Sequence, residues 1–141
     1  MSLRVTREDV WAASIPDAPG ALAEKLSVLA EAGATVDFVI TRRSPFAEDR
    51  SVVFITPVRG NGQERLAREI GFDRTRNLHA VRVDAAAEPG LTARIARELA
   101  AATVNLRGFS AAVIADRTVV HLAFDAEADA SKAVEVLERL G

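Results

Sequence analysis

The sequence predicts an α+β protein built from two copies of one unit of about 70 residues. Three observations carry this. Pro19-Gly20 recurs as Pro89-Gly90 at an offset of 70, and Arg4/Arg74, Ala23/Ala93, Leu29-Ala30/Leu99-Ala100 and Ala32/Ala102 keep the same offset. Each copy reads strand, helix, strand, strand, helix. The chain has 141 residues, 49% hydrophobic and 27% charged, an ordinary globular composition sufficient for two small cores.

Residues 10–15 alternate, with Trp11, Ala13 and Ile15 on one face; Val81, Val83 and Ala85 are their counterparts. Residues 19–32 have apolar residues at helical spacing, Leu22, Leu26, Leu29 and Ala30. Pro19 suits the first helical turn and Gly33 the residue after the last. Leu91, Ile95 and Leu99 form the second stripe, but Thr103 replaces the terminating glycine. Residues 36–42 with 51–57, and 105–115 with 118–124, read as hairpins. Val52-Val53 and Val119-Val120 match at an offset of 67, so three residues are lost between these strands. There Arg43-Ser44-Pro45-Phe46-Ala47-Glu48-Asp49 gives way to a tight Asp116-Arg117 turn, the kind of indel a hairpin loop tolerates. Asn61 and Glu64 have the spacing of a capping box, which predicts that Asn61 caps a helix with the stripe Leu66, Ala67 and Ile70. Val134, Leu137 and Leu140 are the stripe of the last helix.

This order is a split β-α-β layout, two ferredoxin-like (βαββαβ-type) units with antiparallel sheets and helices on one face. Residues 1–72 are assigned to the first unit and 73–141 to the second. The layout needs a fourth strand. Residues 72–76 supply one to the first copy, whereas the given sequence ends at Gly141 directly after the second copy's last helix. Leu3 to Thr6 aligns with Asp73 to Arg76, so the expectation is a strand exchange in which residues 3–7 complete the second sheet.

The composition narrows function. The net charge is −2, from 18 basic and 20 acidic residues mixed along the chain, which argues against nucleic acid as a partner. No apolar run reaches the roughly 20 residues of a membrane span, and the first residues lack a signal-peptide stretch, so a cytoplasmic location is expected. There is no cysteine and only two histidines, His79 and His121, so neither a metal site nor a cofactor is expected. There is no Gly-x-Ser-x-Gly elbow and no His-Glu-x-x-His pair, so the protein is read as a non-enzyme.

The segment Ile15-Pro16-Asp17-Ala18-Pro19-Gly20-Ala21-Leu22-Ala23 resembles the first strand-to-helix loop of ACT domains, as does Ala87-Glu88-Pro89-Gly90-Leu91-Thr92-Ala93. Glu31-Ala32-Gly33-Ala34-Thr35-Val36-Asp37-Phe38 and Ala101-Ala102-Thr103-Val104-Asn105-Leu106 are similar to that family's passage from helix to second strand. The resemblance spans nearly the whole chain and departs from the family at Thr103 and at the absent last strand. It implies allosteric binding of an amino acid or other small metabolite at interfaces between paired domains.

The chemistry of the loop points the same way. A helix start leaves backbone N–H groups without intrahelical partners and carries partial positive charge. Ala18 cannot cap, and Gly20 adds no side chain, so a ligand carboxylate can approach the N–H groups of Gly20, Ala21 and Leu22; Gly90 and Leu91 repeat the arrangement. Asp17 and Glu88 are placed to receive a ligand ammonium or to cap the helices. Asp37 and Asn105, near the starts of the second strands, are further candidate contacts. The plain alternatives are turn chemistry at Pro-Gly and solvated side chains at Asp37 and Asn105. Trp11 reads as core or interface, His79 and His121 as structural, and Arg42, Arg43 and Arg59 as solvating strand ends. Apolar residues on both faces of residues 36–40 and 109–114, with Val39 and Phe109 opposite the Val36/Leu106 face, predict a homodimer or larger oligomer. The competing function is a ligand-free module for dimerisation or for docking on a regulated enzyme.

Overall fold

The computed structural model describes residues 2–140. In chain order the elements are β1 (Leu3–Glu8), β2 (Trp11–Pro16), α1 (Ala21–Glu31), β3 (Phe38–Arg43), β4 (Arg50–Thr56), α2 (Gly60–Glu69), β5 (Asp73–Arg74), β6 (His79–Ala86), α3 (Leu91–Ala101), β7 (Gly108–Ile114), β8 (Arg117–Phe124) and α4 (Glu127–Glu138). They form two four-stranded antiparallel sheets, ordered β3-β4-β2-β5 and β1-β6-β8-β7. Asp9–Thr75 is one compact unit; the described residues up to Glu8 and from Arg76 onward form the other. We call them the contiguous and the composite unit. Among the described residues no helix is long and apolar enough to cross a membrane.

The strand exchange is present. β1 pairs along its whole length with β6, from Leu3 opposite Ala85 to Glu8 opposite Ala80, and occupies the edge that β5 occupies in the contiguous unit. Leu3 and Val5 pack against the composite core. Polar contacts fasten the far end of the strand: Arg7 makes a two-pronged bond to Glu127 at 2.7 and 2.8 Å, and Glu8 Oε2 lies 3.0 Å from His121 Nδ1. Asp73 and Arg74 pair with Ala12 and Trp11, so they belong with the contiguous unit.

In the contiguous unit, alternation buries Trp11, Ala13 and Ile15 against Val53, Ile55, Leu29, Ala67 and Phe72. Trp11 is fully buried, and Arg68 and Arg74 lie 5.0 and 5.6 Å from its ring centroid. These cation–π contacts link the two-residue β5 to α2. The composite core is larger, with thirteen buried residues against eight, and is dominated by Val, Leu and Ala rather than by Trp11 and Phe72.

Several local expectations are corrected. Pro19 lies before the helix: α1 begins at Ala21, with Gly20 in a left-handed conformation as its cap residue. Ala30 is exposed, because the buried stripe of α1 narrows to Leu29 flanked by Leu22 and Leu26. Asn61 does not cap α2. The cap is Arg59, whose backbone N–H donates to Gln63 Oε1 at 3.0 Å, while Glu64 accepts from Arg74 at 2.6 Å. Val36 precedes β3, and both Val36 and Val39 pack on the core rather than on opposite faces. Phe109 likewise stands opposite the buried Leu122, on the core side. Thr103 adopts φ 59, the left-handed conformation that Gly33 adopts at φ 79. A β-branched residue there is strained.

Candidate functional site

The two loops suggested by the sequence have the same backbone. β2 ends at Pro16, Gly20 has φ 87, and the Gly20 carbonyl accepts the first helical bond from Glu24 N–H at 3.0 Å. Gly90, at φ 81, accepts from Arg94 N–H at 2.9 Å. Neither helix has a side-chain cap. The N–H of Ala21 turns back to the Ala18 carbonyl at 3.3 Å, and that of Leu91 to Glu88 at 3.4 Å, both long bonds. Ala18, Gly20 and Glu88 are exposed, whereas the Leu91 side chain is buried in the core. A Cβ built on Gly20 or Gly90 meets nothing within 4 Å, so the space in front of each helix start is open.

The surroundings of the first loop hold Arg43, which the sequence suggested only as solvating a strand end, and Arg50, which it did not single out. Asp17 does not cap α1; its Oδ2 accepts from Arg43 Nε at 3.0 Å, and its N–H donates to the Asp49 carbonyl at 2.8 Å. Arg50, opposite Pro16 in the register, donates to Ser14 Oγ at 3.0 Å. Two guanidinium groups therefore stand at the end of the sheet where α1 begins. The three-residue insertion in the β3–β4 hairpin was the available signal, because it carries the chain from Arg43 round to Asp49 and Arg50 at this end. The composite unit repeats the backbone link, Ala87 N–H to the Asp116 carbonyl at 2.7 Å, with a tighter turn.

Asp37 and Asn105 are not equivalent. The N–H of Asp37 donates to Thr56 at 2.9 Å and that of Arg107 to Ala123 at 2.8 Å, which makes Arg107 the counterpart of Asp37 and leaves Asn105 three residues before β7. Both Asp37 and Asn105 are exposed. Register puts Asp37 at the other end of its sheet from Gly20: Phe38 is opposite Thr56, while Arg43 is opposite Ser51 beside the loop. The six residues of β3 separate them by about 17 Å. One amino acid cannot touch both within a single unit.

His79 Nδ1 lies 3.1 Å from Glu127 Oε2, and His121 pairs with Glu8, so both histidines serve the attachment of β1. The Arg7 hydrogen bond, helped by the nearby charges of Arg7 and His79, holds Glu127 down at about 2. Among the described residues no group of three or more His, Asp or Glu is arranged to hold a metal ion. An open depression of about 470 Å³, lined by Glu24, Lys25, Val28, Glu69, Ile70 and Gly71, includes none of the predicted site residues, and Lys25 Nζ there donates to the Ile70 carbonyl.

No protein-family model matches the chain, and no curated protein matches it. Solved structures do. A protein from Bacteroides thetaiotaomicron superposes with a TM-score of 0.78 at 15% identity, over 96% of this chain and 90% of its own. The regulatory subunit of aspartate kinase from Thermus thermophilus, in a ligand-free form, gives 0.65 at 15% identity, over 99% and 96%. Escherichia coli aspartokinase III in complex with lysine and aspartate gives 0.56 at 13% identity, over 99% of this chain and 32% of that one. At such identities the likeness is one of fold. The chain has the fold of paired ACT units, which it shares over nearly its whole length with the regulatory subunit of aspartate kinase.

Proposed function

We propose that the chain is a non-catalytic sensor that binds a small molecule, an amino acid by class, and passes its occupancy to an enzyme. The observation that carries this reading is the start of α1, with left-handed Gly20, no side-chain cap, and open space in front. Arg43 and Arg50 at the same end of the sheet add positive potential to the helix terminus. A ligand carboxylate suits that end. Asp17, already held by Arg43, is placed to exchange this partner for a ligand ammonium. The aspartokinase complexed with lysine and aspartate supports the ligand class by analogy of fold. In this reading the second loop, at Glu88, Gly90 and Leu91, is the weaker site, because it lacks a counterpart of Arg43: the matching residue is Val113. Asp37 and Asn105 contribute only where a second copy brings a strand start to the loop.

Calorimetry with the common amino acids tests the reading. One of them is expected to bind, and Gly20→Asp is expected to abolish binding by placing a carboxylate in the anion position. Gly20→Asn, which tolerates φ 87 equally and carries no charge, should retain most of it. Gly90→Asp should have the smaller effect. If no amino acid binds, or Gly20→Asp binds like the unaltered protein, the association module is the better account.

A further inference from the structure

Independently of any ligand, we propose that Ser44 is a phosphorylation site of the contiguous unit, with Arg42 and Arg50 placed to hold the phosphate. Ser44 opens the β3–β4 loop, and its neighbours Arg42, Arg43, Pro45 and Phe46 are all exposed, Phe46 to 95%. Pro45 lacks an N–H and keeps Ser44 out of the helical conformation, so the segment offers the extended backbone that a protein-kinase cleft binds. The Ser44 side chain is tied only within the loop, its Oγ accepting from Phe46 N–H at 3.2 Å. Arginines just before the hydroxyl and a proline just after it are the kind of pattern by which protein kinases choose substrates.

Strand register supplies the receptor. Arg42 stands opposite Val52 and Arg43 opposite Ser51. One step further Ser44 faces Arg50, and its N–H donates to the Arg50 carbonyl at 2.9 Å. Ser51 and Val53 are buried on the helix side, so alternation places Arg42, Ser44 and Arg50 together on the other face. Opposed side chains start about 4.5–5.5 Å apart, and Arg42 lies about 7 Å along the strand from Ser44. Both guanidinium groups reach a phosphate on Ser44 Oγ. Arg50 donates from Nε to Ser14 Oγ, and among the described residues neither Arg42 nor Arg50 has a carboxylate partner. Arg43 differs, being turned to the helix side and held by Asp17. In the second copy Arg42, Ser44 and Arg50 match Ala112, Ile114 and Arg117, so both the hydroxyl and one arginine are missing there.

The reaction is transfer from a nucleoside triphosphate bound by a separate protein kinase. Ser44 Oγ bonds to the γ-phosphorus, the bond from that phosphorus to the β–γ bridging oxygen breaks, and the nucleoside diphosphate leaves. The hydroxyl proton passes to a carboxylate of the kinase. In the product, charge-assisted bonds from Arg42 and Arg50 replace the neutral Arg50–Ser14 contact. The phosphate brings a charge of about −2 to an end of the sheet where Arg43 and Arg50 supply positive potential and Glu48 and Asp49 negative, and makes it anionic.

Two measurements on the full chain test this. With magnesium ATP and an arginine-directed or a proline-directed protein kinase, one phosphoryl group is expected on Ser44, located by mass spectrometry, and none on Ser44→Ala. A native chain that neither kinase labels, or one labelled at the exposed hydroxyls of Ser27, Thr92 or Ser131 instead, overturns the proposal. Phosphoserine incorporated at position 44 during synthesis then reports the receptor by its phosphorus resonance. It should titrate near pH 6 in urea and roughly 1 lower in the folded chain, where the arginines favour the dianion. Arg42→Gln combined with Arg50→Gln should return the folded chain to the value in urea. A folded chain that titrates as it does in urea, or a double variant that keeps the lower value, also overturns it.

Discussion

The contiguous and composite units share one backbone plan and distribute their apolar surface in opposite ways. On the sheet face away from the helices, the contiguous unit aligns Ala12, Phe54 and Ile40 across three strands; the composite unit has Arg82, His121 and Ser110 at the matched positions. There Arg82 bonds Asp84 at 2.9 Å and His121 meets Glu8. At the outer edge the pattern reverses, with Arg42 and Arg43 on β3 and Ala112 and Val113 on β7. One unit has an apolar face and a charged edge, the other a charged face and an apolar edge. The element order survives duplication because it depends on the core-side alternation alone. Surfaces are free to diverge, and here they have diverged in opposite directions.

The comparison can be broken most severely at the fourth strand. Deleting residues 2–8 removes a six-residue ladder, the packing of Leu3 and Val5, and the partners of His121 and Glu127. The expected loss is on the order of 5 kcal/mol, all of it in the composite unit. Hydrogen exchange should rise across Val119 to Phe124 and stay unchanged in β4; equal protection in both would show that β1 contributes little.

Next comes the difference between cores. Trp11 and Val81 occupy matched positions and both are fully buried. Trp11→Ala should cost about 3–5 kcal/mol and release β5, whereas Val81→Ala should cost about 2 kcal/mol. Denaturant unfolding followed separately in each unit distinguishes them. Trp11→Phe should be milder, since the indole Nε1 is buried without a hydrogen-bond partner.

A finer test exchanges the helix-ending residues. Thr103→Gly relieves a left-handed β-branched residue and should stabilise the composite unit by about 1 kcal/mol, while Gly33→Thr should destabilise the contiguous one by a similar amount. Thermal unfolding reads both, and a destabilising Thr103→Gly would mean that the threonine side chain does more than occupy the turn.

The smallest effect is electrostatic. Glu127 is held at about 2, below its ordinary value of 4.5, so its pairing stabilises the fold above that ordinary value and is lost as pH falls towards 2. Arg7→Met should flatten this part of the acid-unfolding curve. The carboxylate is solvated, so the change should be slight, and it should shrink with added salt.

Much of this architecture was legible in the sequence. Counting strands against the split β-α-β layout led to residues 3–7 as the missing edge, because a sheet of this kind needs four strands and one copy lacked its own. The helix ends were less legible. Left-handed Gly20 displaced Pro19 from the helix, and Gln63, rather than Asn61, supplied the contact at the start of α2. The candidate site was the least legible part. Arg43 and Arg50 reach the α1 loop through hairpin register, a long-range property that local pattern does not encode. Likewise Glu8 and His121 are 113 positions apart, and no spacing rule joins them. Asp37 and Asn105 are another matter, since the offset of 70 already paired Asp37 with Arg107.

The exchanged strand also sets an order of assembly. During synthesis β1 leaves the ribosome well before its partner β6, which begins at His79, after the whole contiguous unit. Asp9–Thr75 can therefore complete its sheet while the leading strand still waits. Arg4, Arg7 and Glu8 give that waiting segment charges, which disfavour edge pairing with another chain. An attachment that hinders the first residues, such as a bulky amino-terminal fusion, would then penalise the last-made half of the protein and spare the half beside it.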